Sequence, residues 1–311
     1  MSWQPSASLE ALQARAMLNA YIREFFQQRQ VMEVETPVLS QASVSDASLI
    51  PLMATCCAKP SYLHTSPEYP MKRLLAAGSG DIYQICKTFR DDEKGKRHNP
   101  EFTMLEYYRI GFDLKTLMDE VAQLVGDYLH IQRRQDLSYL QVVQQYAGIN
   151  PFEIDEQGLR ELVTQFVGKD MVLTRNECLD IIMSHIVEPN LPTDCLVCVY
   201  HYPASQAALA KTSVDYLGNK IAQRFELYVN GLELANGYHE LTDIAEQKRR
   251  FEQEKNKKAG DDFPQDQYFL DALDAGLPDC SGVALGLDRI LMLKLQASEI
   301  SDVLSFNFDR A

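Results

Sequence analysis

Residues 81–109, DIYQICKTFRDDEKGKRHNPEFTMLEYYR, constrain the fold more than any other stretch. Side chains of a strand point alternately to opposite faces. A strand over the first part puts Ile82, Gln84, Cys86, Thr88 and Arg90 on one side, with Tyr83, Ile85, Lys87 and Phe89 on the other. A second strand gives Phe102, Met104, Glu106 and Tyr108 a shared face. The pattern predicts a hairpin in which Arg90 closes the more polar face of the first strand. A carboxylate and a phenol stand together at the far end of an apolar row, a pair suited to an amine. Lys94, Lys96, Arg97 and His98 on the connecting loop suit a polyphosphate, because cationic donors bind phosphate oxygens with charge-assisted hydrogen bonds. The plain alternative for such a loop is a solvated hairpin tip.

The chain of 311 residues, 46% hydrophobic and 24% charged, has the make-up of a globular protein. No apolar run approaches the roughly 18 residues that cross a bilayer. The start, MSWQPSASLEALQ, lacks a basic segment followed by an apolar one, so no secretory signal is expected and the cytoplasm is the expected location. The cysteines number seven and are scattered, which argues against a disulfide framework. Cys195 and Cys198 form a CxxC inside an apolar run, with no second pair to complete a zinc site. A net charge of −14 repels a phosphate backbone and lowers the expectation of a nucleic-acid partner.

Taken in order, residues 8–30 have helical spacing with Ser8 as N-cap. A short strand over 31–36 ends at Pro37, and 42–60 reads as loop. Ser66-Pro67-Glu68 opens a helix, where a hydroxyl and a carboxylate in the first turn are also favourable as simple capping. Residues 113–130 form an amphipathic helix. Residues 137–188 read as mainly helical, broken at Gly148-Ile149-Asn150-Pro151. Strands are expected over 197–203 and 222–229. Asn230-Gly231 then makes a tight hairpin turn, since both central positions of a type I′ turn need positive φ. The return strand carries Glu233, Leu234, Asn236 and Glu240, and an Asn-Gly kink is expected to bring Glu233 and Glu240 together despite their odd spacing. Two hard oxygen donors suit Mg²⁺, which keeps several waters of its own. Exposed acids on an edge strand are the competing reading. Residues 243–258 read as a charged, solvated helix. The small residues of 279–286 let backbone approach a flat ring, and Arg289 opens the next helix near its positive dipole end.

Phe89-Arg90-Asp91-Asp92 with His98-Asn99-Pro100-Glu101-Phe102 resembles motif 2 of the class II aminoacyl-tRNA synthetases. The stretch from Gly282 to Arg289, GVALGLDR, resembles their motif 3, and the early helix, strand and Pro37 resemble motif 1. The ELANGYHE string is similar to the E-x-x-N-G-x-x-E segment of lysyl-tRNA synthetases. From about Leu9 to Ala311 the chain is similar to the catalytic domain of that synthetase. The resemblance implies an α+β fold, a mainly antiparallel sheet flanked by helices, working as a homodimer. It implies a single catalytic domain over 1–311, with a helical insertion at about 137–190. ATP and Mg²⁺ are implied: Arg90 and Arg289 as catalytic arginines, Asp91, Asp92, His98, Asn99, Phe102, Glu233, Leu234 and Gly286 around the nucleotide, and Glu233 and Glu240 on the metal. Ser66, Pro67, Glu68, Glu106, Tyr108, Asn236, Glu240 and Ala284 are implied for the amino acid, with the assignment of its amines to the two ends left open.

Three departures bear on the reaction. Motif 1 begins close to the N-terminus, whereas an anticodon-binding domain needs at least ~50 residues, so no such domain and no tRNA acceptor are expected. Ala284 stands where lysyl-tRNA synthetases have Gly, and one methylene is worth about 1–3 kcal/mol of discrimination. Asp92 replaces the usual Glu of motif 2. The strings TSPEYPMKRLL, HNPEFTMLE, ELANGYHEL and PDCSGVALG resemble stand-alone paralogues of the synthetase. Their likeness implies (R)-β-lysine as substrate and a lysine of translation elongation factor P as acceptor. The alternatives are a lysyl-adenylate-forming enzyme with another acceptor, and an inactive regulatory paralogue. Retention of Arg90, Arg289, Glu233 and Glu240 argues against the inactive paralogue.

Overall fold

A computed structural model describes residues 3–42, 49–91, 94–168, 171–257 and 264–311. The chain forms two compact units, the first comprising Met1–Asp113 with Leu241–Ala311 and the second Leu114–Glu240. No helix among the described residues is long and apolar enough to cross a membrane.

In the first unit the helix Leu9–Gln27 starts where expected, its Ser8 side chain accepting from the Ala11 amide. The following strand is short, Met32–Glu33, and pairs in parallel with Ile82 and Tyr83. Strands Ile82–Phe89 and Glu101–Ile110 form the predicted antiparallel hairpin. Cys280–Gly286 pairs antiparallel with the second of them. One face of this sheet is sealed by the first helix. Phe26 of that helix is fully buried, stacks on Tyr83 at 4.4 Å and meets Tyr107 edge-on at 4.8 Å. The apolar stripe predicted for residues 8–30 is what anchors the floor of the sheet.

Two expectations for this unit need correction. Residues 42–60 are not all loop: Met53–Cys56 and Lys59–Leu63 are strands paired antiparallel. Their turn is made by Cys57 and Ala58 at φ 52° and 60°, a conformation that Gly or Asn would have signalled and these residues do not. The charged helix Ile244–Lys257 is not wholly solvated, because Phe251 and Gln247 are buried. Phe251 packs beside Tyr69 and Phe269, at ring distances of 6.1 and 6.2 Å.

In the second unit Arg134–Ser138, Leu196–Tyr200, Arg224–Val229 and Leu232–His239 lie side by side. The first pair is parallel and the others antiparallel. Tyr139–Ala147, Glu156–Val163 and Arg175–Ile182 are helices. Tyr139, Val142, Leu159, Leu179 and Ile182 pack into one core with Val197 and Val199 of the sheet. Gly148 ends the first of these helices at φ 70°, in the break read from the sequence. Asn230 and Gly231 turn at φ 52° and 68°, and at Gly231 an added Cβ would sit 2.5 Å from the Glu188 carbonyl oxygen. Cys195 and Cys198 are buried free thiols, in keeping with a structural role.

Candidate active site

The ladder of the first unit sets Ile82, Gln84, Cys86 and Thr88 opposite Tyr108, Glu106, Met104 and Phe102. These in turn meet Gly282, Ala284 and Gly286, with Tyr108, Glu106 and Met104 as their partners. Residues directly opposite one another share a face. The face turned away from the first helix therefore carries a strip of Gly, Ala and Gly beside a row of larger side chains. Such a strip admits a ligand against backbone.

At one end of that face lies a polar cluster. Ser66 Oγ accepts from the Glu68 amide at 3.0 Å and donates to Glu106 Oε2 at 2.7 Å. Tyr108 donates to Glu106 Oε1 at 2.6 Å. Glu106 is 2% exposed. Burial, with the nearby Glu68 charge, holds its carboxyl well above the usual carboxylate range, opposed by the Tyr108 and Ser66 hydrogen bonds and by Lys72. The Lys72 ammonium lies 2.6 Å from Glu68 Oε1, its side chain 1% exposed. It faces the rings of Tyr108 and Phe269 at 6.0 and 5.9 Å. The helix Glu68–Ala76 brings these groups together because Glu68 and Lys72 stand four residues apart on one of its faces. A cluster with two carboxylates and one resident ammonium can take a further cation.

At the other end of the hairpin are groups suited to a nucleotide. The Arg90 guanidinium sits 5.1 Å from the Phe102 ring centroid. Arg289 donates to His98 Nε2 at 2.9 Å. Asn99 is buried. Its Nδ2 donates to the Glu101 carbonyl at 2.6 Å, and its Oδ1 accepts from the Phe308 amide at 3.0 Å, so the loop base is held on both sides. The Asp91 amide donates to the Ile50 carbonyl at 2.8 Å. Gly286 caps the helix Leu287–Leu295, and an added Cβ there would meet nothing nearer than the Arg289 side chain at 3.6 Å.

In the second unit the register slips between Leu227 and Tyr228, which pair with Ala235 and Glu233. Leu234 is the unpaired extra residue, and it is buried. A bulge reverses the alternation of faces, so Glu233 comes onto the side of Asn236, Tyr238 and Glu240. The expected Asn-Gly kink is thereby corrected, since Asn236 and Gly237 pair regularly with Glu226 and Phe225. Glu240 follows the strand, bridges Ala210 and is buried. Arg224 donates to Asn236 Oδ1 at 3.2 Å and to Glu226 Oε1 at 2.5 Å. Glu226 also accepts from Tyr202 at 2.5 Å and from Tyr228. This buried network fixes the amide of Asn236. Among the described residues no group of three or more His, Cys, Asp or Glu side chains is gathered for a metal. Glu233 and Glu240 share a face of the strand without converging on one point, and either carboxylate is the donor type Mg²⁺ takes, with the rest supplied by phosphate and water.

The sequence model of the family described as tRNA synthetases class II (D, K and N) matches residues 1–310. The chain belongs to this class II tRNA synthetase family. It is 48% identical over 323 residues to the elongation factor P–(R)-β-lysine ligase of Salmonella gallinarum (strain 287/91 / NCTC 13346), with 100% of this chain and 98% of that protein covered. The same identity and coverage hold for proteins of the same name from Salmonella heidelberg (strain SL476) and Salmonella enteritidis PT4 (strain P125109). The mainly antiparallel sheet flanked by helices is that of a class II synthetase.

Within that fold Ser66, Pro67, Glu68, Glu106, Tyr108 and Ala284 gather at one end of the first unit's open face. Arg90, Asp91, His98, Asn99, Phe102, Gly286 and Arg289 gather along its hairpin loop and the start of the Leu287–Leu295 helix. Glu233, Leu234, Asn236 and Glu240 lie on a single strand and its continuation in the second unit. Asp92 lies outside the described residues. Lys72, paired with Glu68 in the first unit, and Arg224, bonded to Asn236 in the second, are not among the residues read from the sequence. The only sequence signal for Lys72 was its spacing from Glu68, and for Arg224 its place across the hairpin from the Asn236 strand.

Proposed function

We propose that this chain activates (R)-β-lysine with ATP and transfers it to the ε-amine of a lysine on translation elongation factor P. The observation that carries the amino-acid side is the ladder position of Ala284 beside Glu106. It puts a methyl group, in place of a glycine hydrogen, against the carboxylate best suited to a substrate ammonium. Moving an amine from the α to the β carbon changes the shape presented there, and one methyl can discriminate between the two.

The amino-acid carboxylate attacks the α-phosphorus of ATP in line, forming the mixed anhydride while pyrophosphate leaves. Arg90 stabilises charge on the α-phosphoryl oxygens, and Phe102 with the backbone at Gly286 receives the adenine. His98 and Arg289 hold the triphosphate tail. Glu233 and Glu240 would hold Mg²⁺, which supplies charge neutralisation on phosphate oxygens. Ser66, Glu68, Glu106 and Tyr108 of the first unit bind a substrate amine. Catalysis is positioning and electrostatic stabilisation, with no covalent protein nucleophile. The acceptor amine then attacks the carbonyl carbon of the anhydride and AMP departs.

A net charge of −14 supports a protein acceptor over tRNA. Apolar side chains exposed on the first helix and the strand after it, Leu9, Met17 and Met32, support a homodimer. Seven free thiols support a reducing, cytoplasmic setting. The test is ATP–pyrophosphate exchange with (R)-β-lysine and with α-lysine, followed by transfer to elongation factor P. A preference for β-lysine and a mass increase on the acceptor are expected. A preference for α-lysine would turn the assignment to an ordinary lysyl-adenylate former.

A further inference from the structure

Asp288 follows the glycine-rich strand, in the first turn of the Leu287–Leu295 helix, and is 1% exposed. An acid at that position is favourable by the helix dipole alone, yet this carboxylate spends both oxygens elsewhere. Oδ2 accepts from the Thr103 amide at 2.6 Å. Oδ1 is ion-paired with Arg15 of the first helix. Arg15 also donates to the Val303 carbonyl at 2.9 Å and to Thr103 Oγ1 at 3.4 Å. The ladder between the strands ends at the pair Gly286 and Met104. Thr103 is one step beyond it, and the Asp288 side chain takes the place that the next strand carbonyl would have held.

The neighbours of these two residues give the contact its consequence. Asp288 adjoins Arg289, which is bonded to His98. Thr103 adjoins Phe102, the ring under Arg90. One buried carboxylate therefore ties the residue next to Arg289 to the residue next to Phe102. We propose that Asp288, held by Arg15, is a positioning residue that fixes the span of the nucleotide site. The proposal rests on the assignment of Phe102 and Arg289 to ATP made above. A charge-assisted bond to each oxygen holds the carboxylate more firmly than a neutral amide would be held.

The test uses the full-length protein with Asp288→Asn, Arg15→Met and the double variant. Equilibrium binding of a non-hydrolysable ATP analogue and of (R)-β-lysine is measured separately, beside the KM values in pyrophosphate exchange. Misplacement of a binding group by about 1 Å can cost on the order of 10²-fold. ATP binding is expected to weaken by roughly 10- to 100-fold, on the same scale. Amino-acid binding should stay within about twofold, and the double variant should lose less than the product of the two single losses, since both break the shared Arg15–Asp288 contact. A folded Asp288→Asn protein with unchanged ATP affinity overturns the inference, as does a parallel loss of both ligands, the mark of a general structural role. If Asp288→Asn does not fold, unchanged ATP affinity in Arg15→Met overturns it equally. A wild-type protein that binds no ATP would refute the nucleotide assignment itself, and the inference with it. Unchanged variants of a protein that binds ATP refute the inference alone.

Discussion

Replacing Lys72 with Met removes one charge from the buried amine cluster at nearly constant length. The ammonium lies 2.6 Å from Glu68, with side chains 1% and 16% exposed, and Glu106 beside them is 2% exposed. Taking away one partner of a buried ion pair costs about 3–5 kcal/mol, because the other charge is left without compensation. Glu68 keeps some contact with solvent, which puts the expected loss near the lower end, about 3 kcal/mol. At about 2–4 °C per kcal/mol for a folded unit of this size, the melting temperature should fall by roughly 6–12 °C. Thermal and urea unfolding at neutral pH would measure it. Adding Glu68→Gln to Lys72→Met removes the orphaned charge and should recover much of the loss, whereas the same change in the wild type strands the ammonium. A Lys72→Met protein that melts within about a degree of wild type would refute the idea that this pair is energetically coupled. So would a double variant no more stable than the single one.

Arg90→Ala should leave the protein folded by circular dichroism and lower pyrophosphate exchange by about 10²–10³, the usual cost of losing one donor to a developing oxyanion; near-normal exchange would remove Arg90 from the α-phosphate. Ala284→Gly should shift the ratio of kcat/KM for β- over α-lysine toward α-lysine by about 10–200-fold, the worth of one methylene, and an unchanged ratio would take specificity away from this position. Glu106 has its carboxyl raised by burial and by Glu68. A group with a raised folded-state pKa stabilises at low pH and loses that contribution as pH rises through its folded value. Glu106→Gln, uncharged throughout, should therefore melt like wild type near pH 5 and above it near pH 9 without ligand. A difference that does not change with pH would contradict that origin.

How far the sequence could be read follows the range of the forces involved. The alternation in residues 81–109 was enough to place Ile82–Phe89 against Glu101–Ile110 and to put Phe102, Glu106 and Tyr108 on one face. Asn230-Gly231 announced its turn, and Ser8 its helix start, because each depends on backbone within a few residues. The Cys57-Ala58 turn carries no local signal, since its positive φ values are not ones these side chains prefer. The sequence suggests a kink at Asn236-Gly237, whereas the irregularity is a bulge at Leu234. An Asn-Gly pair suggests a bend locally, but the extra residue is assigned by the register of the partner strand.

The chemistry divides in the same way. Candidate residues such as Arg90, Glu106 and Arg289 could be named from the chain alone, because they stand in stretches that resemble the motifs of a known family. Their partners could not all be named. Lys72 is close to Glu68 in sequence, yet whether its ammonium would be buried or solvated depended on the rings of Tyr108 and Phe269 folding over it. Arg15 and Asp288 are separated by 273 positions, and no periodicity in either segment selects the other. Local backbone preference and apolar patterning act between near neighbours, so the sequence by itself determined most of the elements and the candidate side chains. Desolvation and pairing of buried charges depend on what packs against them, so only the tertiary structure decided which charges compensate one another.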